Sequence, residues 1–130
     1  MHVLTTSEGI PIEILFTPGS ESDIRTFRRL NLDLEEGAII YADKAYTDYC
    51  YEDILQDVGI TLCSHRKNGA TRQHPYQLAC IQKYLRKRIE TTFSEIANLM
   101  PRYIHAVTMR GFMLKVLLFV LTFSVKKLAA

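Results

Sequence analysis

The strongest constraint in this chain is a run of seven apolar residues: Leu78, Ile81, Leu85, Ile89, Phe93, Ile96 and Met100. Their spacings of 3, 4, 4, 4, 3 and 4 describe one face of an amphipathic helix, about six turns long at 3.6 residues per turn. Such a helix needs a surface to lie on, and the residues before it supply strands. Val3 to Thr6 and Ile10 to Phe16 are β-rich runs joined by Ser7-Glu8-Gly9, a hairpin pattern, and Pro18-Gly19-Ser20 ends the second run. After Gly37, the continuous apolar run Ala38 to Ala42 predicts a strand buried on both faces, and Ile60 to Cys63 predicts another short strand.

Short helical patterns separate these strands. Asp23 to Leu30 places Ile24, Phe27 and Leu30 on one side, with Ser22 or Asp23 as its cap. Thr47 or Asp48 caps a second helix that runs to about Asp57, and Gly59 is its stop. Ser64 to Pro75 is a polar, basic connection. Pro101 interrupts the long helix, Gly111 marks another break, and Phe112 to Leu128 forms a last, mostly apolar helix. Strands first, helices afterwards and β-α-β-α alternation in the middle place the chain in the α/β or α+β class. Its 130 residues support one domain.

Composition excludes several classes. Hydrophobic residues make up 48% and charged residues 23%, which argues against disorder. Cys50, Cys63 and Cys80 are odd in number and lack C-x-x-C spacing. They argue against a disulfide framework or a cysteine zinc site and for a reducing compartment. The N-terminus lacks a basic region followed by a long apolar stretch, so no signal peptide is expected. The run Val116 to Val125 is bounded by Lys115 and Lys126. As a helix it spans about 15 Å, half of a bilayer core, and reads as a buried terminal helix.

The net charge of +2 conceals asymmetry. Residues 1–60 hold Arg25, Arg28, Arg29 and Lys44 against twelve acidic residues. Residues 61–89 hold Arg66, Lys67, Arg72, Lys83, Arg86, Lys87 and Arg88 and no acidic residue. That block suits a phosphate-binding surface, because each neutralised phosphate releases condensed counterions. It equally suits a solvated loop followed by a solvated helix face.

Two carboxylates stand out. Asp43 follows the most apolar strand, at the sheet edge where α/β proteins usually bind ligands, although Asp is also a common cap or turn residue. Glu90 borders the apolar stripe of the long helix, one turn after Arg86, where an ordinary i, i+4 ion pair is the plain alternative. If the two share a hard cation, Mg²⁺ suits them, and paired ions of that kind clamp the oxygens of a phosphoryl transfer. His65 and His74 lie in the basic loop and read as exposed loop residues, with phosphate contact the minority alternative. Tyr41, Tyr46, Tyr49 and Tyr51 cluster around Asp43 and are expected to pack on the sheet. Neither a G-x-S-x-G elbow nor a glycine-rich phosphate loop is present.

Taken together, three segments resemble the DDE transposases of bacterial insertion sequences. They are the hairpin His2-Val-Leu-Thr-Thr-Ser-Glu-Gly-Ile-Pro-Ile-Glu with Thr17-Pro-Gly-Ser, the strand Ile39-Ile-Tyr-Ala-Asp-Lys-Ala-Tyr46, and Arg86-Lys-Arg-Ile-Glu-Thr-Thr-Phe-Ser-Glu95. The resemblance implies an α/β, ribonuclease-H-like fold with long C-terminal helices. It also implies two Mg²⁺ ions on an Asp, Asp, Glu triad, DNA cleavage and strand transfer, and a place in the bacterial cytoplasm near the nucleoid. Asp43 matches the second Asp and Glu90 the Glu, both catalytic and metal-binding in the family. Lys44, Arg66, Lys67, Arg72, Arg86, Lys87 and Arg88 become candidate DNA contacts, with insertion-sequence ends as the DNA.

The chain also departs from the family pattern. Lys83 stands where many members carry Tyr, and Ala97 where they carry Lys. No residue matches the family's first Asp, whose strand precedes the hairpin, and Asp23 reads as a cap rather than a substitute. Residues 1–130 are therefore expected to form a partial catalytic domain, truncated at its N-terminus. Exposed strand edges would follow, with self-association or association with a full-length transposase. Metal binding is expected to be weak, and strand transfer by the chain alone is not expected. A non-catalytic DNA-binding or transposase-binding remnant is the alternative. An unrelated α/β domain, with Asp43 as a cap and Glu90 paired to Arg86, is the third.

Overall fold

The computed structural model describes residues 1–30 and 32–130. In chain order the elements are β1 (His2–Thr5), β2 (Pro11–Leu15), α1 (Asp23–Arg29), β3 (Ile39–Ala42), a 3-10 turn (Lys44–Tyr46), α2 (Tyr49–Asp57), β4 (Thr61–Ser64), α3 (Tyr76–Leu99) and α4 (Met109–Ala129). They form two compact units, one of residues 1–16 and 87–130 and one of residues 17–86.

In the first unit β1 and β2 pair antiparallel, with His2 opposite Leu15, Val3 opposite Ile14 and Leu4 opposite Glu13. The register then shifts, so that Thr5 faces Pro11. Proline is tolerated there because it opens the strand. The turn closes through Thr6 N–H to Ile10 O and Gly9 N–H to Thr6 O, both 2.9 Å, and Gly9 takes the left-handed φ of 84°. This turn docks on α3. The Thr92 hydroxyl donates to Gly9 O at 3.2 Å, and the Arg88 guanidinium donates to Glu8 O through Nε at 3.0 Å and Nη2 at 2.6 Å. Behind it Ile96, Val120 and Phe123 form a buried cluster, flanked by Ile14, Leu99 and Met100.

The second unit is built around a β-α-β crossover. β3 and β4 pair in parallel, Ile39 with Thr61 through Ala42 with Ser64, and α2 connects them. Asp48 caps α2 by accepting Tyr51 N–H at 3.1 Å, and Gly59 turns the chain at φ 83°. Phe27, Ile40, Leu55, Ile60, Leu62 and Cys63 are its buried apolar side chains. Phe27 makes edge-to-face contacts with Tyr46 and Tyr51 at ring distances of 5.7 and 5.4 Å.

Most expected elements appear within a residue or two of their predicted bounds, with four corrections. First, β3 is not buried on both faces: Ile39 is 45% exposed, because among the described residues this sheet has only two strands. Second, α3 is turned relative to its apolar stripe. Ile81 and Phe93 are exposed, while the polar Gln82 and Thr92 are buried. Both polar side chains are buried because they donate to backbone carbonyls, Gln82 to Ala42 O and Thr92 to Gly9 O. Third, Gly111 does not break the last helix. Thr108 caps α4 by accepting Gly111 N–H at 3.0 Å, so the glycine sits in the first turn. Nor is α4 simply buried: Leu114, Leu117, Leu118, Leu121, Val125 and Leu128 all face outward.

Gly9 gives a direct check of the hairpin's seat on α3. A Cβ there would collide with Thr92 Oγ1, whereas one at Gly37, also at positive φ, meets open space. Gly37→Ala is expected to destabilise by about 1–2 kcal/mol, the cost of a left-handed L-residue. Gly9→Ala is expected to cost clearly more, because it also displaces the Thr92 hydrogen bond. Urea denaturation of the two variants reads the difference.

Candidate nucleic-acid interface and its carboxylates

β3 ends at Ala42, and its C-terminal end is held from α3. Gln82 Nε2 donates to Ala42 O at 2.8 Å and to Cys63 O at 3.3 Å, while Ala42 O also accepts His65 N–H at 2.9 Å. Asp43 follows directly. Its Oδ1 accepts Lys44 N–H at 2.8 Å, capping the 3-10 turn, and lies 3.8 Å from Arg86 Nη1. The Asp43 and Arg86 side chains are 49% and 54% exposed, so this pair is solvated and contributes little to stability. Asp43 therefore stands at the ligand-binding end of a parallel pair and is also a cap; the two roles are compatible.

Tyr46 closes the same turn. Burial, with the Asp23 and Asp43 carboxylates adding to it, pushes its phenol up to about 12. Glu90 is exposed on α3, one helical turn beyond Arg86.

The basic residues divide into two groups. Lys44, Lys67, Arg86 and Lys87 are exposed. Arg66, Arg72 and Arg88 are engaged within the protein. Arg66 is the extreme case: its side chain is 5% exposed and its ion-pair partner Glu52 is 11% exposed. Arg66 Nη2 donates to Glu52 Oε2 at 2.7 Å and Nη1 to Ser64 Oγ at 2.8 Å, which leaves the buried Nε without a partner among the described residues. Arg72 donates to both carboxylate oxygens of Asp53, at 2.9 and 3.2 Å. That hydrogen-bonded pairing holds the Asp53 carboxyl below its ordinary range.

Both guanidiniums also stack on Tyr49, 4.9 and 4.8 Å from its ring centre. Arg88 serves the hairpin turn. His74, expected as an exposed loop residue, is half-buried with Nε2 2.9 Å from Ser64 O. A cavity of about 250 Å³ beside this cluster is lined by Glu52, Asp53, Arg66, Arg72, Gln73 and His74. Two guanidiniums against two carboxylates leave it without the surplus positive charge that an anion site requires.

Sequence reasoning missed Gln82 and Glu52, and for Tyr49 it missed the two guanidiniums against its ring. The signal for Tyr49 and Glu52 was present in the acidic, tyrosine-rich α2 that precedes a basic loop. Gln82 gave no signal, because a lone polar residue beside an apolar stripe looks solvated.

A divalent cation at Asp43 would need further oxygen ligands. Among the described residues no three His, Cys, Asp or Glu side chains gather into a group that holds a metal ion, and the Asp43 carboxylate already faces a guanidinium. The donor set present does not fit a complete metal centre. Among the described residues no helix is long and apolar enough to cross a membrane.

Comparison with known proteins returns one positive finding. The family model described as "Transposase DDE domain" matches residues 1–123. Neither a curated protein nor a solved structure matches the chain.

Two measurements probe the local electrostatics. Glu52→Ala leaves the Arg66 guanidinium buried and uncompensated, with an expected loss of about 3–5 kcal/mol. Asp53→Ala, at a side chain 65% exposed, is expected to shift stability by less than ~1 kcal/mol. Chemical denaturation at neutral pH distinguishes them. Tyr46 sets a limit on the alkaline side. Its folded pKa lies above the ordinary value of 10, so its contribution to stability is whole below pH 10 and is lost as pH rises through about 12. A spectrophotometric phenolate titration of the folded protein is expected to show a late-titrating group that Tyr46→Phe removes.

Proposed function

This chain belongs to the transposase DDE domain family, and we propose that it serves DNA transposition through an edge built on Asp43, with Glu90 as a second carboxylate. One observation carries the reading: within a chain matched to this family over residues 1–123, Asp43 stands directly after β3, at the C-terminal end of a parallel strand pair. That is where a strand of a mixed α/β sheet presents a functional acid. In this reading the chain is part of a ribonuclease-H-like domain of a bacterial insertion-sequence transposase. Both the antiparallel hairpin and the parallel β3–β4 pair are elements that such a domain uses.

DDE transposases usually work with a divalent metal. Asp43 and Glu90 match two of the family's three carboxylates, and two anionic ligands alone would leave such an ion under-neutralised. The hydrogen bond from Lys44 N–H orients the Asp43 carboxylate at the strand end, and Arg86 lies 3.8 Å away. Phosphates meet the exposed Lys44, Lys67, Arg86 and Lys87. Arg66, buried and paired with Glu52, positions the loop that carries Lys67 instead of touching DNA.

A second reading, a non-catalytic DNA-binding remnant, is favoured by two observations: Asp43 lies beside a guanidinium, and no three-ligand group forms among the described residues. Manganese titration followed by NMR separates the two. Under the first reading, paramagnetic broadening centres on the amides around Asp43 and Glu90 and disappears in Asp43→Asn. No broadening at either position leaves the DNA-binding reading, in which Lys67→Ala and Lys87→Ala each lower the slope of log affinity against log salt by about 1. Strand transfer by this chain alone is not expected under either.

A further inference from the structure

Asp43 is a carboxylate that packing does not hold. Its side chain is 49% exposed, so where it stands depends on the backbone to either side of it. Both sides are anchored within the second unit. On the near side, Ala42 O accepts the Gln82 side-chain amide at 2.8 Å and His65 N–H at 2.9 Å. On the far side, Asp43 O accepts Tyr46 N–H at 3.0 Å, and the turn ends at Thr47, whose hydroxyl lies 3.0 Å from Ser64 Oγ. Ser64 is fully buried and is the strand partner of Ala42.

Gln82 is the member of this set that comes from α3 rather than from the crossover itself. Its Nε2 carries two N–H groups, and they go to different strands: Ala42 O at the end of β3, and Cys63 O in β4 at 3.3 Å. Gln82 is buried and so is Cys63, which leaves water little access to replace these donors. A buried amide carries entropy and desolvation costs that leucine or methionine would avoid while extending the apolar stripe. What the amide adds is direction. It locks the last rung of the strand pair, and with it the path on which the chain leaves β3. Arg86 follows one turn along α3 and lies 3.8 Å from Asp43 Oδ1. Successive turns of the helix thus address successive residues of the strand end.

We propose that Gln82 is a positioning residue for Asp43: by bridging Ala42 O and Cys63 O it fixes the end of β3 and so sets where the carboxylate stands. This inference rests on the reading of Asp43 as a functional acid and names the residue that places it. Gln82 acts through the backbone, without contact to a substrate.

The test compares two variants of the full chain. Gln82→Met keeps the length of the side chain and removes both donors. Thr92→Val removes the other buried hydrogen bond from α3, the one to Gly9 O in the first unit. Hydrogen exchange followed by NMR reads the amides of His65 and Tyr46, which donate to Ala42 O and Asp43 O. In Gln82→Met both are expected to exchange about 10-fold faster than any change in urea-measured stability accounts for. In Thr92→Val they are expected to move only with global stability. Rates in Gln82→Met that match the parent, or the same excess in Thr92→Val, overturn the proposal. Gln82→Asn, which keeps the amide but withdraws it by one methylene, serves the same comparison if the methionine variant does not fold. In the parent, the Gln82 side-chain amide protons are expected to exchange at least ~10-fold more slowly than those of the exposed Gln77. Equal rates overturn the proposal without any variant.

Manganese titration separates this inference from the reading beneath it. Where the parent's Asp43 amide broadens, Gln82→Met is expected to raise the manganese concentration for half-broadening by about 10-fold, the low end for loss of a group that orients a ligand. Thr92→Val is expected to leave that concentration unchanged. An unchanged value in Gln82→Met overturns the proposal. A parent without broadening at Asp43 overturns the carboxylate reading alone, and the exchange rates then decide whether Gln82 sets the strand end.

Discussion

The Gln82 side-chain amide is the joint on which the candidate edge depends. Two parallel strands make a marginal sheet, and the last carbonyls of such a pair need donors. Gln82 supplies them to Ala42 O and Cys63 O from α3, which fixes the end of β3 immediately before Asp43. An α3 turned to bury Ile81 instead would gain apolar area, but it would lose both Gln82 hydrogen bonds and leave Ala42 O with His65 N–H alone, at about 0.5–1.5 kcal/mol for each bond lost. The polar contact wins, and Ile81 remains exposed. Further along the same helix Thr92 does the equivalent for the hairpin turn through Gly9 O. In both units α3 docks through a hydrogen bond at its centre, with apolar contacts around it.

Charge follows a related logic. The acidic first half of the chain and the basic stretch after it look like separate surfaces in the sequence. In the fold, part of each is consumed by the other: Arg66 by Glu52, Arg72 by Asp53, both against Tyr49. These contacts attach the loop after β4 to α2. Of the block of seven basic residues, Lys67, Lys83, Arg86 and Lys87 lie outside these contacts and are exposed. A domain from a family of DNA-processing proteins thus uses its arginines largely for its own architecture and leaves Lys44, Lys67 and Lys87 facing solvent.

The unfinished burial of α4 belongs to the same account. One apolar face of the helix is buried in its own unit and the other is exposed. Its basic ends fit this division. Lys127 turns inward to pair with Glu95 at 2.9 Å, and Lys115 reaches back to His105 O. Between them Leu117, Leu118, Leu121 and Val125 are left exposed.

Local physics made much of the chain legible in its residues. The hairpin, the β3-α2-β4 crossover, the Asp48 cap, the Gly59 stop and the long helix all follow from periodicity, capping and turn chemistry, which act over a few neighbouring residues. The placement of Asp43 directly after an apolar strand was also written there. Which face of α3 is buried, which arginines are spent internally and which side of α4 is left open were decided only by tertiary structure. Each depends on a partner distant in sequence: Gln82 on carbonyls 40 and 19 residues away, Arg66 on a carboxylate 14 residues away. An apolar stripe records that a face can be buried. Only the arrangement of backbone groups opposite it determines whether a hydrogen bond claims that place first.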